Sequence, residues 1–121
     1  MQQKNNEVEI ITADDIAVVT FSSPSISASQ GIDQMSQKIN DFICANYPRK
    51  IIMDFFNVRF FSSQLLGLLL QVWRKLHGYG GRIVISGINP QLHRVFKITN
   101  LDKIFEFYPD KETALKALCQ G

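Results

Sequence analysis

The sequence predicts an α/β fold: a mixed sheet, its N-terminal strand antiparallel and the remaining strands mostly parallel, packed by about four helices. Three observations carry this. Two short, continuous apolar runs rich in β-branched residues, "KIIMDFF" (50–56) and "RIVISG" (82–87), suit strands buried on both faces. Each is followed by a segment with apolar residues at helical spacing, and a helix between two strands implies a parallel, right-handed crossover. Near the N-terminus, two alternating runs flank a turn, as in a hairpin.

Taken in order, "EVEIITADDIAVVTF" (7–21) forms that hairpin: Val8 and Ile10, then Ile16 and Val18, alternate around "TADD". "SPSISASQG" (23–31) is a Ser-rich connection. A helix at 31–46 places Ile32, Met35, Ile39, Phe42 and Ile43 on one face, and Pro48 ends it. After the strand at 50–56, Asn57 turns the chain. Leu65, Leu66, Leu69, Val72, Trp73 and Leu76 then mark a helix at 63–77, closed by "HGYGG" with glycines suited to a left-handed cap. The strand at 82–87 leads to a helix at 90–98, with Asn89 as N-cap, Pro90 at the first helical position, and Leu92, Val95 and Phe96 inward. "LDKIFEFYP" carries a last strand through Ile104, Phe105 and Phe107. The final helix, 110–119, is capped by Asp110, stabilised by a Glu112–Lys116 pair, and docked by Leu115 and Leu118.

With 121 residues, a single domain spanning 1–121 is expected. A hydrophobic share of 45% supports a core, and a charged share of 20% fits a soluble globule. The net charge of +2, with no basic run, gives no case for direct nucleic-acid binding. The longest apolar stretch, "LLGLLLQVW", is too short to cross a bilayer, and the polar start "MQQKNNEVEI" is not a secretory signal. A cytoplasmic protein without membrane insertion is the expectation. Cys44 and Cys119 are isolated in sequence and read as two buried, reduced thiols.

Catalytic patterns are missing from the sequence. His77 and His93 fall on different helices without a ligand-spaced Cys or carboxylate, and read as surface or helix-end residues. No Gly-rich phosphate loop or Walker lysine is present, and "GYGGR" follows a helix rather than a strand. Asp14, Asp15, Asp33 and Asp41 form no acid pair in an apolar setting, and "FSSQL" is not a nucleophile elbow. The expectation is a non-enzyme with no metal and no cofactor.

The informative stretch is "DFFNVRFFSSQLLGLLL" (54–70). A serine ahead of a helix caps it by accepting a bond from a free first-turn N–H. One serine suffices, and two leave one spare for presentation to a partner. Leu65, Leu66, Leu68, Leu69 and Leu70 cover more circumference than a single apolar stripe needs. Either Leu65 or Leu68 stays exposed for a partner, or the helix meets a wider core through another element. Phe55, Phe56, Phe60 and Phe61 are read as mostly core.

Asp54, Val58, Phe60, Ser63, Leu66 and Gly67, followed by "GGRIVISGINPQLHRVFKITNLDKIFEFYPDKETAL", resemble the STAS domain family, and among its members the bacterial anti-sigma factor antagonists. The clear similarity covers residues 50–118. In that family the strand-to-helix turn reads Asp-Ser-Ser-Gly-Leu-Gly and its first Ser is the phosphoacceptor. Without gaps, that serine falls on Ser63, and Leu66 and Gly67 match the last two positions. Ser62 stands in place of the Asp, Gln64 in place of the second Ser, and Leu65 in place of the first Gly. The resemblance implies a regulatory module that binds an anti-sigma factor with serine-kinase activity. Ser63 (or Ser62) would be the phosphorylation site, and Ser62, Gln64, Leu65 and Leu68 would contact the partner. A weak homodimer is a further expectation. The alternative is a STAS scaffold subunit of a sensory assembly or lipid-transport complex, without phosphoregulation.

Overall fold

The computed structural model describes residues 8–13, 15–21, 25–26, 31–61 and 63–120. Strands β1 (Val8–Ala13) and β2 (Ile16–Phe21) are joined by two residues and pair antiparallel, Ala13 opposite Ile16. Helix α1 (Gly31–Asn46) leads to β4 (Lys50–Asp54), which pairs parallel to β2. Two short strands, β3 (Ser25–Ile26) and β5 (Phe60–Phe61), pair parallel with each other outside the main sheet. Helix α2 (Ser63–Gly78), strand β6 (Arg82–Ser86), helix α3 (Pro90–Ile98), strand β7 (Glu106–Tyr108) and helix α4 (Lys111–Gln120) follow. The five-stranded sheet has the order β1-β2-β4-β6-β7, parallel from β2 onward. This is the mixed sheet with four helices that the sequence predicts.

The strand order explains the layering. From β2 the sheet grows in one direction, so crossovers of one hand put α1, α2 and α3 on the same face. Alternation within the strands agrees. Ala17, Val19, Ile51, Met53, Ile83 and Ile85 face the cluster that holds Ile39, Leu69 and Phe96. Ile16, Val18, Ile52 and Val84 point the other way, against Ala114 and Leu118 of α4. The strand β4 lies at the centre, its Ile51, Ile52 and Met53 fully buried.

Several sequence expectations need correction. The strand at 50–56 stops at Asp54; Phe55 bonds to Ser86 and Phe56 turns. The last strand begins at Glu106, because a 3-10 turn at Leu101–Lys103 carries Ile104 and Phe105 into the core before the chain extends. The Ser-rich connection contains β3. Cys44 and Cys119 are exposed, not buried: each follows or flanks an inward apolar residue on a helix and turns to the solvent side. Glu112 and Lys116 form no ion pair, and among the described residues the ion pair is Arg82–Glu106 at 2.6 Å. The expected inward position of Ile32 lies outside the described side chains. Caps fall where expected: the Asn89 side chain accepts from Leu92 N–H at 2.9 Å, and Gly80 takes a positive φ of 85° after α2.

Asp110 accepts a 2.7 Å bond from Thr113 N–H at the start of α4. That bond, aided by the Thr113 side chain and by Lys116, holds its carboxyl below the ordinary carboxylate range. A depressed folded pKa means the cap is fully formed above the ordinary value and is lost as pH falls through the lower one. The Thr113 amide resonance should therefore titrate with a midpoint below that of an unperturbed aspartate, and Asp110→Asn should abolish that titration.

Candidate functional site

The loop after β4 leaves the sheet at the C-terminal ends of the parallel strands, where ligand and partner sites of open α/β sheets gather. Four hydrogen bonds shape it. The buried Ser86 hydroxyl donates to Asp54 Oδ1 at 3.0 Å. Phe55 N–H donates to Ser86 O at 2.8 Å, extending the β4–β6 ladder by one residue. Val58 N–H donates back to Phe55 O at 3.0 Å, closing a turn through Phe56 and Asn57. Asn89 Nδ2 donates to Val58 O at 3.3 Å while its Oδ1 caps α3, so one side chain ties the loop to the next helix.

A glycine makes the close approach possible. Gly87, directly after Ser86, has φ 69°, and a Cβ there would meet Asp54 Oδ1 and the Phe56 N and Cα, each at 3.1 Å. The absent side chain therefore lets the end of β6 and the turn after β4 stay in close contact.

On this frame the loop sorts its four phenylalanines. Phe55 and Phe61 are buried, with ring centroids 5.8 Å apart, and Phe61 also meets Phe96 edge-on. Phe56 and Phe60 are 74% and 56% exposed. They are not core residues: in β5 the side chains of Phe60 and Phe61 point to opposite sides and only Phe61 meets the core, while Phe56 lies in the turn after β4. Alternation within the Phe60–Phe61 pair was the signal for the one ring, and the turn read at Asn57 was the neighbouring signal for the other. Pairing of β5 with β3, Phe60 opposite Ser25, fixes which ring faces out.

Ser63 is the first residue of α2 and is exposed, as are Gln64 and Gly67. Ser62 lies outside the described residues, and with it the expected serine cap. Leu65 and Leu68 are not exposed: they are 0% and 5% accessible. Helix α2 crosses from β4 to β6 between α1 and α3, so its apolar stripe must be wide enough to meet helices as well as the sheet. Leu65, Leu68, Leu69, Val72 and Leu76 are all buried, and Leu66 is half-buried. Of the two readings of the leucines, the wider core is correct, and Leu65 and Leu68 cannot meet a partner directly.

The electrostatics at the helix start suit an anion. The first turn of α2 carries no acidic side chain and its last turn carries Lys75 and His77, and the first-turn N–H groups of any helix lack intrahelical partners and favour an anion. His77 stacks on Trp73 and His93 packs on Phe107, far from any ligand set. No three His, Cys, Asp or Glu gather among the described residues, and no helix there is long and apolar enough to cross a membrane.

Comparison with known proteins places this geometry. The family model described as "STAS domain" matches residues 7–114. A similar curated protein is the anti-sigma F factor antagonist of Paenibacillus polymyxa, 26% identical over 86 residues, covering 71% of this chain and 74% of that protein. Among solved structures, an anti-sigma-factor antagonist (STAS) domain protein from Planctomyces limnophilus superposes with a TM-score of 0.82 at 21% identity, over 91% of this chain and 95% of that one. The Bacillus cell fate determinant SpoIIAA in its phosphorylated form gives 0.73 at 20% identity, over 92% and 98%. At these identities the two structures share the fold.

The Gly87 contact can be tested directly. Gly87→Ala should cost about 1–3 kcal/mol through backbone strain and crowding. The urea midpoint should fall with an unchanged slope. Gly67→Ala is the control: a Cβ at Gly67 meets nothing, so the helix should gain up to about 1 kcal/mol from propensity alone.

Proposed function

Because the chain belongs to the STAS domain family, we propose that it is a cytoplasmic, single-domain anti-sigma factor antagonist switched by phosphorylation of Ser63. Its partner would be an anti-sigma factor that is also a serine kinase. The observation that carries this is the exposure of Ser63 at the first position of α2, on the same loop-and-helix unit as the exposed rings of Phe56 and Phe60. The names of the relatives support it. The partner surface we assign is Phe56, Phe60, Ser63 and Gln64, in place of the buried leucines. Binding energy concentrates in a few well-packed, desolvated side chains, and aromatic residues, Phe among them, are enriched at interface cores.

The switch follows from charge. Phosphoryl transfer to the Ser63 hydroxyl adds roughly −1.5 to −2 charges at neutral pH. At a helix start that charge is tolerated, so the fold should be unaffected. A partner seated over Phe56 and Phe60 would have to desolvate it, which costs affinity. Gln64 and Leu65 differ from the family's Ser and Gly, so the kinase must accept this local sequence.

The test uses the native partner and ATP. Ser63→Asp should keep the melting temperature within a few degrees of wild type yet weaken binding at least tenfold, about 1.4 kcal/mol. Ser63→Ala should bind normally and resist modification. Phe60→Asp should lose binding while remaining folded. Phosphate on Ser62 would move the site by one residue. Phosphate on neither serine would favour the scaffold alternative.

A further inference from the structure

We infer that the free edge of β1 pairs with the same edge of a second copy of this chain, through an antiparallel β1–β1 ladder centred on Ile11. The reasoning is independent of the serine site. In the order β1-β2-β4-β6-β7, β1 has a neighbour on one side only among the described residues. Its register shows which backbone groups are unsatisfied. Facing pairs alternate between hydrogen-bonded and non-hydrogen-bonded along the ladder, and Val8 O, taken by Lys38 Nζ at 2.9 Å, lies on the outer side. The backbone groups of Glu9, Ile11 and residue 13 therefore point at β2, and those of Val8, Ile10 and Thr12 point away. Among the described residues nothing bonds the outward groups of Ile10 and Thr12.

Lys38 thus closes the edge at Val8, and among the described residues the segment from Ile10 onward is open. A twofold ladder fits that segment. Side chains opposite each other in an antiparallel pair share a face of the sheet, so a copy related by a twofold axis normal to the sheet can be centred on Ile11. Ile10 and Thr12 then exchange N–H and C=O bonds with their counterparts, four bonds in all. Ile11, 57% exposed on the face opposite the main core, meets Ile11 of the second copy at the closest kind of cross-strand position. The one charged residue of β1, Glu9, falls opposite position 13 and not opposite another Glu9.

The strand also lacks the devices that keep edges apart. "VEIITA" has no Pro, Lys or Arg, and its pairing with β2 runs unbroken, without a bulge. The other edge differs: β7 has three residues, and its Glu106 is held by Arg82. A second copy is the occupant because the segment is complementary to itself and carries no charge pattern that would select a different strand. The contact is small, so association is weak. It lies two strands from β4, leaving the Ser63 surface free in the dimer.

Sedimentation of the full chain from about 10 μM to about 1 mM tests this, in the range of weak association. A monomer–dimer equilibrium is expected, weakened at least tenfold by Ile11→Lys and unchanged by Phe60→Asp, both variants melting like wild type. In the wild type, amide exchange adds a separate reading. The Ile10 and Thr12 amides should be protected at high concentration and unprotected on dilution, with the Ile11 amide protected at both. A monomer throughout the range, a dimer that withstands Ile11→Lys, a dimer lost in Phe60→Asp, or Ile10 and Thr12 amides insensitive to concentration would overturn the inference.

Discussion

The close approach of Gly87 to Asp54 and Phe56 is the contact on which the rest of this molecule's surface depends. Two parallel strands end side by side there, and both continue into loops that must diverge at once. The Ser86–Asp54 bond and the Phe55–Ser86 bond hold the ends together. A side chain at Gly87 would wedge them apart. With the strands held, the chain after Asp54 turns tightly, and Asn89 fastens that turn to α3. The exposed serine, glutamine and phenylalanines are presented on a segment with little freedom to rearrange, which lowers the entropy cost of docking a partner.

The second constraint is the position of α2 between α1 and α3. A helix at the centre of three must bury a wide stripe, and that requirement absorbs Leu65 and Leu68. It separates the roles of neighbouring residues. The leucines hold the helix in register on the sheet, while Ser63, Gln64 and Gly67 stay in solvent. A charge added at Ser63 is therefore added outside the core, next to helix N–H groups that favour it. The proposed switch would then act on an interface without acting on stability.

Periodicity in the sequence was sufficient for the architecture because each strand and helix carries its own local pattern. The apolar runs read at 50–56 and 82–87, the Asn89-Pro90 cap and the Asp110 cap are legible from neighbouring residues alone, although the strands themselves end at Asp54 and Ser86. The exposure of single side chains is not. Whether Leu65 faces solvent depends on α1 and α3, which lie far away in sequence. Whether Phe60 or Phe61 faces out depends on a two-residue strand pairing with 25–26. Cys44 and Cys119 follow the same logic: a small apolar side chain beside an inward position is compatible with either face. The serine itself was legible only through its place ahead of a helix and its likeness to a family motif.

The central claim is that the loop from β4 to α2 is held ready by the sheet ends rather than ordered by a partner. Backbone order parameters for residues 55–61 of the unbound chain, from nitrogen-15 relaxation, test it most directly. The account predicts values near 0.85, level with β4 and β6. Values below about 0.6 across Phe56–Phe60, with rigid strands on either side, would contradict it.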